Sequence, residues 1–444
     1  MTLRKAFTLF LCVILVIYIF IGPDLLNYMK MDYKKSQEPV KKKSEWTGVI
    51  TLWDYPRLDI TNGTRFTWIR SKIREFERKN PGVYIELRTL DWKDGPTLLK
   101  AAAKTGAYPD IAPVGSDFYF ISNGYLEELD SYINPLERSD FLSNILETAS
   151  YNGKLYGLPW MMTGYTMLLN TDRFNEKNVS IPQGGEWTYE QFVEALKQLT
   201  YDTDGKKGPD VYGFNSFIEP GYYNIFGLLM ADGAQIIDEE TGSFTFNTPE
   251  ALSGLKKLCD LKHTYKVTHP EFGNMNESQA WSSFLKGDVA VYIAGSWAVP
   301  LLRNSQGSGG INFTVAKFPT GRSDVPLTVS ATTCSYAVFK QENEDKRRVC
   351  VDFIKYITAV EGQEELKNFG YFPVRKSGKH LYENDKEMYT IQQSLYFAEH
   401  LPKAKNWGEI DLILQSKIKE AVLGNITPEQ ALKDAERLIQ QQRR

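Results

Sequence analysis

The sequence predicts an α/β protein of two lobes, each a mostly parallel sheet flanked by helices. Three observations carry this expectation. Strand, helix and strand patterns follow one another at βαβ spacing between residues 49 and 87. The alternation continues downstream. The 444 residues, 42% hydrophobic and 24% charged, hold enough apolar mass for more than one core.

Val49-Ile50-Thr51-Leu52-Trp53 is an apolar, β-branched run that reads as a buried strand ending at Asp54. Ile69, Ile73 and Phe76 then fall on one helical face, and Asn80-Pro81-Gly82 stops that helix before a second strand over residues 83–87. Residues 98–103 read as the next helix, and residues 109–114 as a strand leading into Gly115-Ser116-Asp117. Ligands of open α/β sheets gather beyond the carboxyl ends of strands, and Asp54 and Asp117 stand at two such ends. Residues 189–199, 249–263 and 280–286 are amphipathic helices. Two more, over 412–423 and 429–441, close the sequence, the last opened by Thr427-Pro428-Glu429. No internal repeat is present.

The apolar run AFTLFLCVILVIYIFIG, residues 6–22, follows Arg4 and Lys5 and contains no charge. As a helix it spans about 25 Å, short for a membrane crossing and long for a signal-peptide core. It is a secretory signal or an uncleaved anchor. The anchor is favoured because no small-x-small cleavage site follows, and Cys12 lacks the small residue that a lipoprotein signal places before its cysteine. Lys30, Lys34, Lys35 and Lys41 to Lys43 make the outer flank the more basic, opposite to the usual inside bias, so charge does not set the orientation. Residues 23–46 form a polar linker. Net charge is −3, which excludes a general field for nucleic acid. Cys259, Cys334 and Cys350 lack metal-ligand spacing and read as three small buried hydrophobes, with a single bridge among them left open.

Eleven segments in order resemble one family. They begin with GVITLWD (48–54), FERKNPGVYIEL (76–87), GAYPDIAPVGSD (106–117) and GYLEELDSYI (124–133). NGKLYGLPW (152–160), EWTYEQFVEALKQLT (186–200), IEPGYYNIFGLLMADGAQII (218–237) and SFLKGDVAVYIAGSWAV (283–299) follow. FIKYITAVEGQEEL (353–366), YFPVRKS (371–377) and ITPEQALKDAERLI (426–439) complete the series. Together they are similar to the bacterial family 1 extracellular solute-binding proteins, the maltose-binding-protein-like components of sugar ABC importers. Three departures stand out: Tyr292 where the family has Met, Leu169 where it has an aromatic, and no lipid-attachment cysteine.

The resemblance implies the two-lobed periplasmic-binding-protein fold with a ligand cleft between the lobes. One lobe is expected from residues 47–160 plus 318–360, the other from 161–317 plus 361–444. A pyranose needs flat aromatic platforms for its C–H faces and fixed acceptors for its hydroxyls. The platforms expected are Trp160, Tyr222 and Trp297, with Trp53 and Tyr371 beside them, and the acceptors are Asp54, Asp117 and Glu219. Each has a structural alternative, as core aromatic, strand-end cap or turn residue; Asp110 reads as structural. Arg57, Arg65 and Arg375 are the cations that a uronate would call on.

The function expected is the extracytoplasmic substrate-binding subunit of an ABC importer: a monomer at the cell membrane, tethered by its N-terminal helix. It closes on an oligosaccharide and delivers it to the permease subunits, with no cofactor, no metal and no nucleic acid. A membrane-anchored sugar receptor for a sensory system is the alternative. Asp117 and Glu219 could in principle act as glycosidase acid and base. The sequence lacks G-x-S-x-G, H-E-x-x-H and P-loop motifs, and its four histidines have no metal or triad spacing, so no enzyme is expected.

Overall fold

The computed structural model describes residues 46–442, except 61–62, 207, 239–242 and 307–308. The expected anchor and linker, up to residue 45, lie outside the described residues. Among the described residues no helix is long and apolar enough to cross a membrane.

The βαβ start is present. Strand β1 (Gly48–Asp54) and strand β2 (Val83–Thr89) pair in parallel, joined by helix α1 (Thr67–Lys79), which buries Trp68, Ile69, Ile73 and Phe76. Helix α2 (Gly95–Thr105) leads to β3, reduced to Ile111–Ala112, which pairs with β1 at Leu52. Pro109 and Pro113 bracket that strand and cannot donate to a ladder, which limits its length. Asp117 then caps the short helix α3 (Phe118–Ser122).

The sheet continues through β4 (Leu158–Asn170), all 13 residues of which are buried. Helix α4 (Tyr189–Gln198), strand β5 (Tyr212–Asn215), helices α5 (Pro249–His263) and α6 (Glu277–Leu285), and strand β6 (Val289–Gly295) follow. After them come helix α7 (Ala298–Gln306), β7 (Phe313–Ala316), β8 (Thr328–Val338), and helices α8 (Glu344–Ile357), α9 (Lys386–Ser394), α10 (Trp407–Val422) and α11 (Pro428–Gln442). The strand order is β2-β1-β3-β8-β4-β6-β5. Pairs β1–β2, β1–β3 and β5–β6 are parallel, whereas within this order β4 and β8 run antiparallel to their neighbours; off it, the start of β8 pairs in parallel with Ala398–Glu399.

Those two strands are the passages between lobes. The first half of β4 pairs with β8 and with Phe372–Pro373, and its second half with β6 and β7. Full burial suits a strand covered on both faces.

The packing shifts the expected lobe boundaries. Residues 318–327, expected on the first lobe, lie on the second: Phe318 joins its core and the Arg322 N–H donates to Asp232 at 2.8 Å. Residues 361–378, expected on the second lobe, lie on the first. Glu365 accepts from Trp68 at 2.7 Å and from Lys72 at 2.8 Å, and Ser377 bonds Asp140. The chain crosses on β8 itself, and the first-lobe helix α8, whose Phe353 meets Phe76 at 5.1 Å, is not the last first-lobe element.

Candidate functional site

The second lobe gathers an acidic and aromatic group around one turn. Tyr222 N–H donates to the Glu219 carbonyl at 3.1 Å, with Pro220 second and Gly221 third at φ 86°. This is a type II turn, in which proline presets the second position and the third needs a residue tolerant of positive φ. The Tyr222 hydroxyl donates to Glu277 Oε2 at 3.1 Å, and its ring meets Phe217 edge-on at 5.0 Å.

Glu277 opens helix α6, which Asn276 and Gln279 close with a capping box. Its own N–H donates to Glu219 Oε2 at 3.3 Å, which sets the Glu219 carboxylate at the positive end of that helix. Trp281, four residues on, shares the helix face of Glu277 and meets Trp297 at 5.5 Å and 64°. Glu219, Tyr222, Glu277, Trp281 and Trp297 are all half-buried. Burial pushes the Glu277 carboxyl above its usual range; the Tyr222 hydroxyl opposes this and the neighbouring Glu219 charge adds to it.

The first lobe contributes Asp117, half-buried, whose Oδ1 accepts the Tyr119 N–H at 3.0 Å. Burial raises its carboxyl, with Lys100 and the Tyr119 bond opposing. Its charge reaches a phenol on each lobe, Tyr55 and Tyr223; burial raises both phenols first and Asp117 adds to it. Tyr55 carries Trp92 flat on its ring at 4.4 Å and 10°, and Trp92 Nε1 donates to the Pro56 carbonyl at 3.1 Å. Trp92 stays 51% exposed. Lys100 Nζ lies 3.6 Å from where a Cβ on Gly408 of α10 would stand, so the lobes approach closely here.

Four expected site residues are placed elsewhere. Asp54 is fully buried and bound to Arg57, so its carboxylate is not presented to a ligand. Trp160 is fully buried as well: Trp68 stacks on it at 4.2 Å and the Arg57 guanidinium lies over it at 4.9 Å, which leaves no face for a sugar. Trp53 is a core ring beneath Arg88, 4.1 Å away. Tyr371 is buried against Phe369 at 5.5 Å, and burial pushes its phenol up to about 12. Arg57 and Arg375 are buried in ion pairs with Asp54 and Asp140, so neither is free for a uronate. Asp110 accepts from Thr51 and pairs with Lys346.

Glu277, Trp281 and Trp92 join the candidate site without being expected from the sequence. The signals were an acid and a tryptophan four apart beside a helix start, and a lone tryptophan in the polar stretch Leu90-Asp91-Trp92-Lys93. On an exposed loop, Asp202, Asp204 and Asp210 bring carboxylate oxygens within 4.8 Å of one another, but Lys206 and Thr203 engage Asp204 and Asp210.

The profile of the bacterial extracellular solute-binding protein family matches residues 72–390. This chain belongs to that family. It is a binding component and not an enzyme. A chain named as a binding protein in Brucella abortus (strain 2308) is 24% identical over 371 residues, covering 82% of this chain and 86% of its own length. An ABC transporter extracellular-binding protein of Pyrococcus horikoshii is 27% identical over 278 residues, covering 59% and 60%. Among solved structures, the ABC substrate-binding protein of Listeria monocytogenes in complex with cycloalternan superposes with a TM-score of 0.73 at 21% identity, covering 89% of this chain and 99% of that one. The maltose-bound protein of T. maritima gives 0.73 at 18% identity, covering 88% and 99%. At these identities the likeness establishes the shared fold, the α/β periplasmic-binding-protein architecture.

Proposed function

We propose that this solute-binding protein captures an oligosaccharide between its lobes and delivers it to the permease of an ABC importer. The observation that carries the reading is the second-lobe group, in which Glu219 and Glu277 stand beside Tyr222, Trp281 and Trp297, all half-buried. Ionised carboxylates accept strong hydrogen bonds from hydroxyls, and flat rings match pyranose C–H faces. Asp117, with Trp92 stacked on the buried Tyr55 ring, supplies the matching surface on the first lobe. A ligand touching both would favour the closed state by its differential affinity. Fold neighbours solved with cycloalternan and with maltose are consistent with this class.

The protein acts as a monomer held at the extracytoplasmic face by residues 6–22. The substrate test is calorimetry of the full chain against maltotriose, mannotriose and cycloalternan, with a change in tryptophan fluorescence on binding. Heat with a peptide and none with any sugar would overturn the substrate class. Mass spectrometry of membrane-extracted protein tests the tether: an intact, unlipidated N-terminal peptide is expected, and a mature N-terminus beyond Gly22 defeats it.

A further inference from the structure

We propose that helix α10 is the positioning element of the ligand-bearing turn, with Asp411 and Gln415 as positioning residues that hold Gly221 and Tyr222. The inference rests on the reading above, that Glu219 and Tyr222 meet the ligand.

The geometry is a ladder along one helix face. Trp407, Asp411 and Gln415 recur every four residues and so project from the same side. They engage three consecutive residues of the chain opposite. Asp411 Oδ2 accepts the Gly221 N–H at 2.6 Å, Gln415 Nε2 donates to the Tyr222 carbonyl at 2.7 Å, and Trp407 Nε1 donates to the Tyr223 hydroxyl at 2.9 Å. Gln415 Nε2 also donates to Asp411 Oδ1 at 2.8 Å, so the two rungs lock each other. Both side chains are sealed, Asp411 at 2% and Gln415 at 1% exposure. Gln415 turns its amide nitrogen to both acceptors and leaves its buried Oε1 without a partner.

A buried carboxylate is costly unless something requires it. Asp54 has Arg57, whereas the partners of Asp411 are a backbone N–H and an amide. A leucine would fill the space, but it would leave the Gly221 N–H unbonded. The acid is therefore explained by the turn it holds and not by packing. The turn carries Glu219 at one end and Tyr222 at the other, so a small rotation about Gly221 would separate the Tyr222 hydroxyl from Glu277 and move the Glu219 carboxylate off the start of α6. Recognition groups need to be held within about half an ångström. The same helix begins at Trp407-Gly408, beside Lys100 of the first lobe, so the element that fixes the turn also borders the cleft.

The test is amide hydrogen exchange of the unliganded full chain, read by mass spectrometry on peptides covering residues 217–224, for wild type, Asp411→Ala, Asp411→Asn and Gln415→Leu. Losing one hydrogen bond should speed exchange across that turn about tenfold in Asp411→Ala. Asp411→Asn keeps an acceptor for Gly221 but turns an amide nitrogen toward Gln415 Nε2, so its exchange should fall between wild type and Asp411→Ala. Peptides from helix α5 should not change. Unchanged exchange at the turn, or equal acceleration in α5, overturns positioning. If Asp411→Ala does not fold, Gln415→Leu decides through the same peptide. Titration with maltotriose, mannotriose and cycloalternan adds the functional arm: affinity for whichever binds wild type should fall about tenfold in Asp411→Ala and recover in part in Asp411→Asn. If none binds wild type, the sugar reading fails while exchange still decides the role of Asp411.

Discussion

Asp54 takes both carboxylate oxygens to a single nitrogen of Arg57, at 2.9 and 2.8 Å, inside a first-lobe core that closes over both. The Tyr336 hydroxyl and the Tyr55 N–H complete its bonds at 3.0 and 2.9 Å. Removing one member of a buried pair strands the other charge, at a cost of about 3–5 kcal/mol, whereas replacing both with apolar groups of similar volume is often neutral. Asp54→Ala should therefore lower the midpoint of chemical denaturation strongly, and Asp54→Leu with Arg57→Met should recover most of the loss. A double variant no more stable than the single would show that the pair is itself required.

Asp411 presents the contrasting case, burial without a cation, and burial pushes its carboxyl up to about 6, with the bonds from Gln415 and Gly221 opposing. A carboxyl whose folded pKa lies above its unfolded value of about 3.9 binds its proton more tightly in the folded chain. Its contribution to stability is fully present below about pH 4 and is lost as pH rises through about 6. Because asparagine does not titrate, Asp411→Asn should gain on wild type by about 2 kcal/mol between pH 4.5 and pH 7.5 in urea unfolding. A difference that stays flat over that window would mean that Asp411 ionises as readily folded as unfolded.

How much of this was legible varies by element, for physical reasons. Helix α5 was read at its observed bounds because Thr248 caps it, Pro249 opens it, and Lys262 and His263 close it. Helix α10 was expected only from residue 412, since Trp407-Gly408-Glu409 breaks the apolar period, and Trp407 and Asp411 fell outside the pattern. Of the two acids that the strand-end rule names, Asp54 is buried against Arg57 whereas Asp117 stays half-buried at the start of helix α3. Successive residues of a strand point to opposite faces, and the partners that bury Asp54 and Trp160 are set by tertiary packing. The lobe crossings carry no compositional mark, so the boundaries near 318 and 361 were each displaced.

The three described cysteines should be inert in the native protein. Cys259, Cys334 and Cys350 are free and buried, and burial pushes their thiols up to about 12, 11 and 12. The thiolate is the reactive form, and little of it exists at neutral pH. Iodoacetamide at pH 8, followed by peptide mass spectrometry, should modify none of the three until denaturant is added. Native labelling of Cys334 would mean that the core around Arg57 opens.

Three tryptophans separate platform from core. Trp160 is sealed between Trp68 and Arg57, so Trp160→Ala should cost about 3–5 kcal/mol of stability. Trp92 is half exposed on Tyr55, and Trp297 is half-buried beside Trp281, so neither is central to a core. Trp92→Ala should cost about 1 kcal/mol, the stacked pair with Tyr55, and so clearly less than Trp160→Ala. If each ring stacks on sugar, either alanine variant should weaken binding roughly tenfold, the combined effect of lost area and ring geometry. Denaturant unfolding and calorimetry on the same preparations separate the two effects. Unchanged affinity in both Trp92→Ala and Trp297→Ala, with a working wild type, would move the site away from these rings and leave the carboxylates as its remaining support.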